Sequence, residues 1–198
     1  MILLTYFDPF GDDPVNVSRE VALHLPSRDY VIRRELATSK QDVERQLPAF
    51  IQETSPHAIL CLGQAQGRAV PTLERVAINL LDSRIADNRQ EVYHDHRIVA
   101  DGPDAYFSTL PLRQLQEAVH AQGYPLELSL SAGTFMCNQA LYWARHTAQA
   151  LPAGFLHLPL LPSQALRHPK TPSMSLEDQT AVLDIVLRTL WQWLMSPA

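Results

Sequence analysis

Short apolar runs alternate with longer stretches of helical period along this chain, the pattern of a largely parallel sheet covered by helices on both faces. The runs predict strands over Ile2–Tyr6, Tyr30–Leu36, Ala58–Leu62, Leu126–Ser131 and Gly154–Leu158. Between and after them, apolar residues recurring every three or four positions predict helices over Asn16–Leu25, Gln41–Glu53, Pro111–Gln122, Asn138–Ala150 and Leu176–Met195. The fold class is therefore α/β.

Ser175, with Asp178 three positions on, reads as the N-cap of the last helix, and Trp191 and Trp193 on its stripe read as packing. From Asp82 to Pro111 the apolar period fades into Asp87, Asn88, Asp101, Gly102, Pro103 and Asp104. That stretch is expected to leave the main layers as a long, functional loop. Fifteen prolines against seven glycines favour defined turns over flexible linkers.

The 198 residues, 46% of them apolar, are enough for one domain, 1–198, with a full core and no need of disulfides or structural metal. Sixteen Lys and Arg against 21 Asp and Glu leave no basic excess, which argues against nucleic acid or an anionic membrane as partner. No apolar stretch approaches the roughly 18 residues needed to span a bilayer. Met1–Leu4 meets Asp8 and Pro9 too soon for an export signal, so it reads as the first strand of a cytoplasmic protein. Two cysteines, Cys61 and Cys137, can build neither a disulfide framework nor a cysteine zinc site, and they suit a reducing compartment.

Cys137 follows the strand-like run ending at Ser131 and directly precedes a helix, where backbone N–H groups can stabilise a thiolate or an oxyanion. It also reads as a small packing residue. Cys61, inside Ala58–Leu62, reads as dry and inert. His157 stands near the end of another buried strand, placed either as a core histidine or as a base at the rim where open α/β sheets collect their sites. Glu74 interrupts the strand-like run Thr72–Asn79, so it must be paired or used: it either orients a histidine or forms a surface pair with Arg75. In His94-Asp95-His96 the spacing is a weak metal signal, and a solvated loop is expected there.

These contexts resemble those of the pyroglutamyl peptidase I family, also called pyrrolidone carboxyl peptidases, over nearly the whole chain. The resemblance rests on Leu4–Gly11 with Asn16, Gly63-Gln64-Ala65, Glu74–Asn79 and Arg84–Asn88, then on Gly102-Pro103, Ala105-Tyr106, Leu110-Pro111, Ala132–Asn138 and Phe155–Pro159. It implies a three-layer α/β/α sandwich around a twisted, mixed but largely parallel sheet, of phosphorylase or hydrolase type. It further implies Cys137 as nucleophile, His157 as base and then acid, Glu74 as the residue orienting that histidine, and Arg84 with the Cys137 N–H as oxyanion donors. The implied substrates are peptides with an N-terminal pyroglutamyl lactam, cleaved without metal or cofactor by a cytoplasmic homo-oligomer. Phe7, Phe10 and Phe135 would then sandwich the neutral ring, with Asn16, Thr38, Gln64, Ile85 and Met136 completing the pocket.

Arg84 also reads as an ion-pair partner of Asp82 or Asp87. Tyr6, Ala37, Gln66 and Pro71 depart from the family's usual residues, and Tyr6 and Gln66 are expected to narrow the pocket mouth or reshape its loop. Two other readings are a homologue that binds lactam-like ends without cutting them, and nucleoside phosphorylase chemistry. The second lacks a glycine-rich phosphate loop.

Overall fold

The computed structural model describes residues 1–196. Its main sheet runs β2-β1-β3-β8-β4-β7, built from β1 (Ile2–Phe7), β2 (Val31–Leu36), β3 (Ala58–Gln64), β4 (Thr72–Glu74), β7 (Glu127–Ser129) and β8 (Ala153–Leu158). The first four strands in that order are mutually parallel. β4 runs antiparallel to β8, and β7 lies parallel to β4 at the edge.

The reversal follows from chain length. Loop 65–71 is too short for the crossover of a dozen or more residues that a parallel connection requires, so the chain passes over the C-terminal end of β8 and returns. That path sets loop 65–71 and then β4 around the end of β8, where His157 stands.

Side-chain alternation sorts the core into two layers. Ile2, Leu4, Tyr6, Leu60 and Leu62 point to the side covered by α1 (Val17–His24), α3 (Leu112–His120) and α6 (Leu176–Met195). Leu3, Phe7, Ile59, Cys61 and Phe155 point to the side covered by α2 (Lys40–Thr54) and α4 (Met136–Thr147). Each fully buried Leu, Ile or Phe in these layers contributes about 1.5–3 kcal/mol of burial free energy. The expected three-layer arrangement is the one found.

Ser175 caps α6 as read, accepting from the Asp178 N–H at 3.0 Å, and Trp191 stacks on Tyr30 at 5.0 Å between ring centroids. A short helix, α5 (Pro162–Ala165), was not anticipated.

Three elements differ from the sequence reading. The run Thr72–Asn79 is not one strand: it breaks at Arg75 into β4 and β5 (Val76–Ile78), and β5 pairs with β6 (Ala105–Phe107) in a separate two-stranded sheet. The run Leu126–Ser131 yields only three strand residues, at an edge and pointing opposite to β8, so Cys137 does not sit at a strand end on the rim of β8. The helix after it begins at Met136, two residues earlier than expected, and ends at Thr147. There Arg145 Nη1 takes the carbonyls of Ala148, Gln149 and Leu151 and draws the chain out of the helix.

The segment from Asp82 to Pro111 leaves the layers as expected but is firmly tied. Asn79 holds Val99 and Gly102 through its side chain, the Asp87 carboxylate accepts from the N–H groups of Lys40, Arg89 and Glu91, and Arg89 reaches Asp42 on α2 at 2.7 Å. His96 serves as a backbone partner of Leu81 in this segment.

Candidate active site

Glu74 is completely buried, and its Oε1 accepts a hydrogen bond from His157 Nδ1 at 2.8 Å. Both side chains lie on the α4 side of the sheet, because Glu74 pairs in register with Phe155, two residues before His157, and this diagonal brings carboxylate and ring together. A carboxylate can only accept, so Nδ1 carries the proton and Nε2 keeps its lone pair. Nε2 makes no protein hydrogen bond among the described residues, and the ring packs against Phe155 with centroids 4.7 Å apart.

The alternative pairing of Glu74 with Arg75 does not occur. The guanidinium that meets Glu74 belongs to Arg68, at 3.1 Å. Arg75 instead borders a separate shallow depression with Phe107, Arg113 and Leu130.

Cys137 lies in the first turn of α4. Phe135 at the N-cap offers no side-chain acceptor, so the first amide N–H groups of this helix are left for another acceptor. Asn138 fixes this turn by bonding both backbone groups of Ile78 and the carbonyl of Leu80. Beneath the sulfur is Gly63 of β3, in register with His157. A β-carbon on Gly63 would stand 2.6 Å from Cys137 Sγ and 2.6 Å from the Phe155 ring, so only glycine lets the thiol approach the sheet here.

Burial pushes the Cys137 thiol up to about 12, with the charge of Glu74 and then Cys61 adding to it, while its own backbone N–H pulls the other way. The expected lowering by the helix N-terminus is thus outweighed. The resting thiol keeps its proton and needs a base to give it up.

A cavity of about 840 Å³ opens beside these groups. Cys137, His157, Arg84, Phe7, Phe10, Asn16, Thr38, Gln64, Ile85, Phe135 and Met136 all line it, whereas Glu74 stays behind His157. Arg84 is exposed on the wall and forms no ion pair among the described residues, since Asp82 accepts from the Asp95 N–H and Asp87 is engaged by the three amides named above.

The polar lining residues divide into held and available groups. Asn16 caps α1 by accepting from the Ser18 N–H and donates to the Asp8 carbonyl, and Thr38 is locked onto Asp8 through its N–H and hydroxyl. Gln64 Oε1 accepts from Val17 N and Gln164 Nε2, which leaves its own amide N–H₂ for the cavity.

Phe7 and Met136 are buried at the back, while the Phe10 and Phe135 rings stand 6.2 Å apart at 45°. A flat ring held between parallel faces needs roughly 7 Å, so these two form an inclined wall rather than a ready sandwich. Tyr6 does not narrow the mouth: strand alternation turns it to the opposite face, among Leu4 and Leu62. Gln66 does line the cavity. Sequence reasoning quoted Gly63 as part of the Gly63-Gln64-Ala65 motif without giving it a role, and it passed over Arg68, three residues beyond that motif.

Comparison with known proteins adds a second line of observation. The pyroglutamyl peptidase family model matches residues 1–192. A pyrrolidone-carboxylate peptidase of Bacillus cytotoxicus is 40% identical over 199 residues, covering 96% of this chain and 93% of the relative. The crystal structure of pyroglutamyl peptidase I from Bacillus amyloliquefaciens superimposes with a TM-score of 0.90 at 34% identity, covering 96% of this chain and 93% of that one. A mutant pyrrolidone carboxyl peptidase from Pyrococcus furiosus gives 0.93 at 29% identity, covering 98% and 99%.

Proposed function

This chain belongs to the pyroglutamyl peptidase family, and we propose that its residues 1–198 form one catalytic domain that removes an N-terminal pyroglutamyl residue with Cys137 as nucleophile. The observation that carries the assignment of roles is the buried Glu74–His157 hydrogen bond beside a thiol in the first turn of α4.

His157 Nε2 takes the Cys137 proton as Sγ attacks the pyroglutamyl carbonyl carbon, and Glu74 stabilises the imidazolium that results. The carbonyl oxygen becomes an oxyanion that settles on the Cys137 N–H and the unpaired Arg84 guanidinium. The C–N bond then breaks, the departing amine takes the proton from His157, and a thioester stays on Cys137. Water attacks that thioester, giving its proton to His157, and the Sγ–C bond breaks. Pyroglutamate leaves, and the thiol regains its proton.

Because the thiol is neutral at rest, proton transfer and attack are coupled, and the imidazole is essential to the first step. The Gln64 N–H₂ is the free donor for the lactam carbonyl, and Phe10, which sits on a partly exposed turn, moves outward to stack the lactam against Phe135. Thr38 and Asn16 hold the pocket floor from behind, Phe7 and Met136 form its apolar back, and Ile85 its outer lip.

Among the described residues no helix is long and apolar enough to cross a membrane. Two free cysteines support placing the enzyme in the cytoplasm. Phe107 and Leu130, 71% and 75% exposed, support a homo-oligomer.

The test is release of a fluorescent amine from a pyroglutamyl conjugate. Purified protein is expected to turn it over and Cys137→Ala to lose turnover; equal rates in both would overturn the assignment.

A further inference from the structure

Glu74 is shut away from water, and its Oε2 has no hydrogen-bond partner among the described residues. One imidazole N–H does not compensate a carboxylate so placed, because a buried charge needs an opposite charge or several donors. Arg68 supplies the charge. Its Nη2 lies 3.1 Å from Glu74 Oε1, 3.1 Å from Ser129 Oγ and 3.1 Å from the Ser131 carbonyl.

One nitrogen therefore touches the acid behind His157, the end of β7, and the start of the segment that turns at Gly133 (φ +76°) and enters α4 at Cys137. Ser129 completes the clasp, its hydroxyl donating to Ser131 O and accepting from Ser131 N–H. Arg68 arrives there because loop 65–71 must pass over the end of β8. It also lines the reaction cavity, with its side chain about one-third exposed.

We propose that Arg68 is a positioning residue for this reaction: its guanidinium offsets the buried charge of Glu74 and holds that carboxylate on His157 Nδ1 while fastening it to the segment carrying Cys137. The inference rests on the peptidase reading above.

A sign follows from charge alone. Catalysis needs His157 as a base and Glu74 as its carboxylate partner, so a proton added to either group stops the first step. A cation beside the pair disfavours adding a proton to it, whichever atom would receive it, so removing the cation is expected to carry the acid limb of activity to higher pH. The other charged or titratable groups near the pair are Cys137 on α4, Cys61 on β3, and Asp82 and Arg84 on the cavity wall. None of them makes a hydrogen bond or ion pair to Glu74 among the described residues.

The experiment compares kcat/KM against pH for the unmodified enzyme, Arg68→Gln and Arg68→Lys on a pyroglutamyl amide. The acid limb of Arg68→Gln is expected to move up by about one pH unit or more, with turnover at neutral pH lowered about tenfold to a hundredfold. Arg68→Lys, which keeps the charge without the fork, is expected to return the limb most of the way while kcat stays low. A merely structural arginine would lower kcat and leave the limb in place, and that result overturns the proposal, as does an Arg68→Gln enzyme of undiminished rate.

If Arg68→Gln turns over too slowly to profile, the rate of Cys137 alkylation by iodoacetamide against pH reports the same limb without substrate. An unmodified enzyme that fails to cleave the conjugate would instead sink the peptidase reading itself, so the two failures are told apart.

Discussion

Cys61 and Cys137 pack against the same apolar cluster on the same side of the sheet, and burial pushes both thiols up to about 12. Yet only one of them has the surroundings of a nucleophile. Cys61 is 0% exposed in the middle of β3, where its neighbour Thr5 across the ladder lowers its pKa only slightly. Cys137 stands beside a cavity, on a helix N-terminus without a side-chain cap, and the His157 imidazole lines the same cavity. The contrast predicts that reactivity comes from access to a base and to unpaired N–H donors, rather than from a thiol that is acidic at rest.

The largest effect that would break this contrast is at Glu74. Glu74→Gln keeps the shape but loses the charge that stabilises the imidazolium and can present the wrong tautomer, so kcat should fall about 10²- to 10⁴-fold while substrate affinity holds. Steady-state kinetics checks this, and an undiminished kcat would mean that Cys137 does not depend on the Glu74–His157 pair.

Next in size is Gly63→Ala. Its methyl would force Cys137 Sγ or the Phe155 ring aside, and a nucleophile displaced by about 1 Å costs about a hundredfold in rate. The same variant should leave Cys61 unreactive toward iodoacetamide, as peptide mapping would show.

The smallest effect concerns stability. Cys61 keeps its proton in the folded state up to about 12, whereas an unfolded thiol releases it near 8.5, so above that pH the unfolded chain binds fewer protons. The stability contributed by the buried neutral thiol is therefore complete below about pH 8.5 and lost as pH rises through the folded value. The fall is about 1 kcal/mol per pH unit for this one group. Urea melts from pH 8 to 10.5 should show the loss, and Cys61→Ala should flatten it by that amount while retaining turnover.

The fold was legible where one local signal decided the outcome. The period of α6, its Ser175 cap and the apolar runs of β1, β3 and β8 survive almost unchanged, and alternation along those strands already separates two core layers. The break at Arg75 was not legible, because Thr72–Asn79 reads as one strand-like run, its interior apolar apart from Glu74 and Arg75, and only the antiparallel return beside β8 divides it. β6 escaped notice because Ala105 and Phe107 are exposed and carry no apolar pattern.

At the site, the local contexts of Cys137, His157 and Glu74 singled out side chains that the fold brings together, two on one cavity and the carboxylate behind it. The state of the thiol did not follow from it, since the helix N-terminus is a local feature and burial a tertiary one. Arg68 was unreadable for the same reason: its partners Ser129 and Ser131 come from a distant stretch of chain, brought close by the short loop over β8.

With Cys137 as nucleophile, the acyl group passes through its sulfur. Acid-quenching the enzyme during turnover of a pyroglutamyl substrate and mapping its peptides by mass spectrometry tests this directly. A pyroglutamyl thioester is expected on the peptide containing Cys137 and none on that containing Cys61. Adduct on any other residue, or turnover that persists in Cys137→Ala, would contradict it.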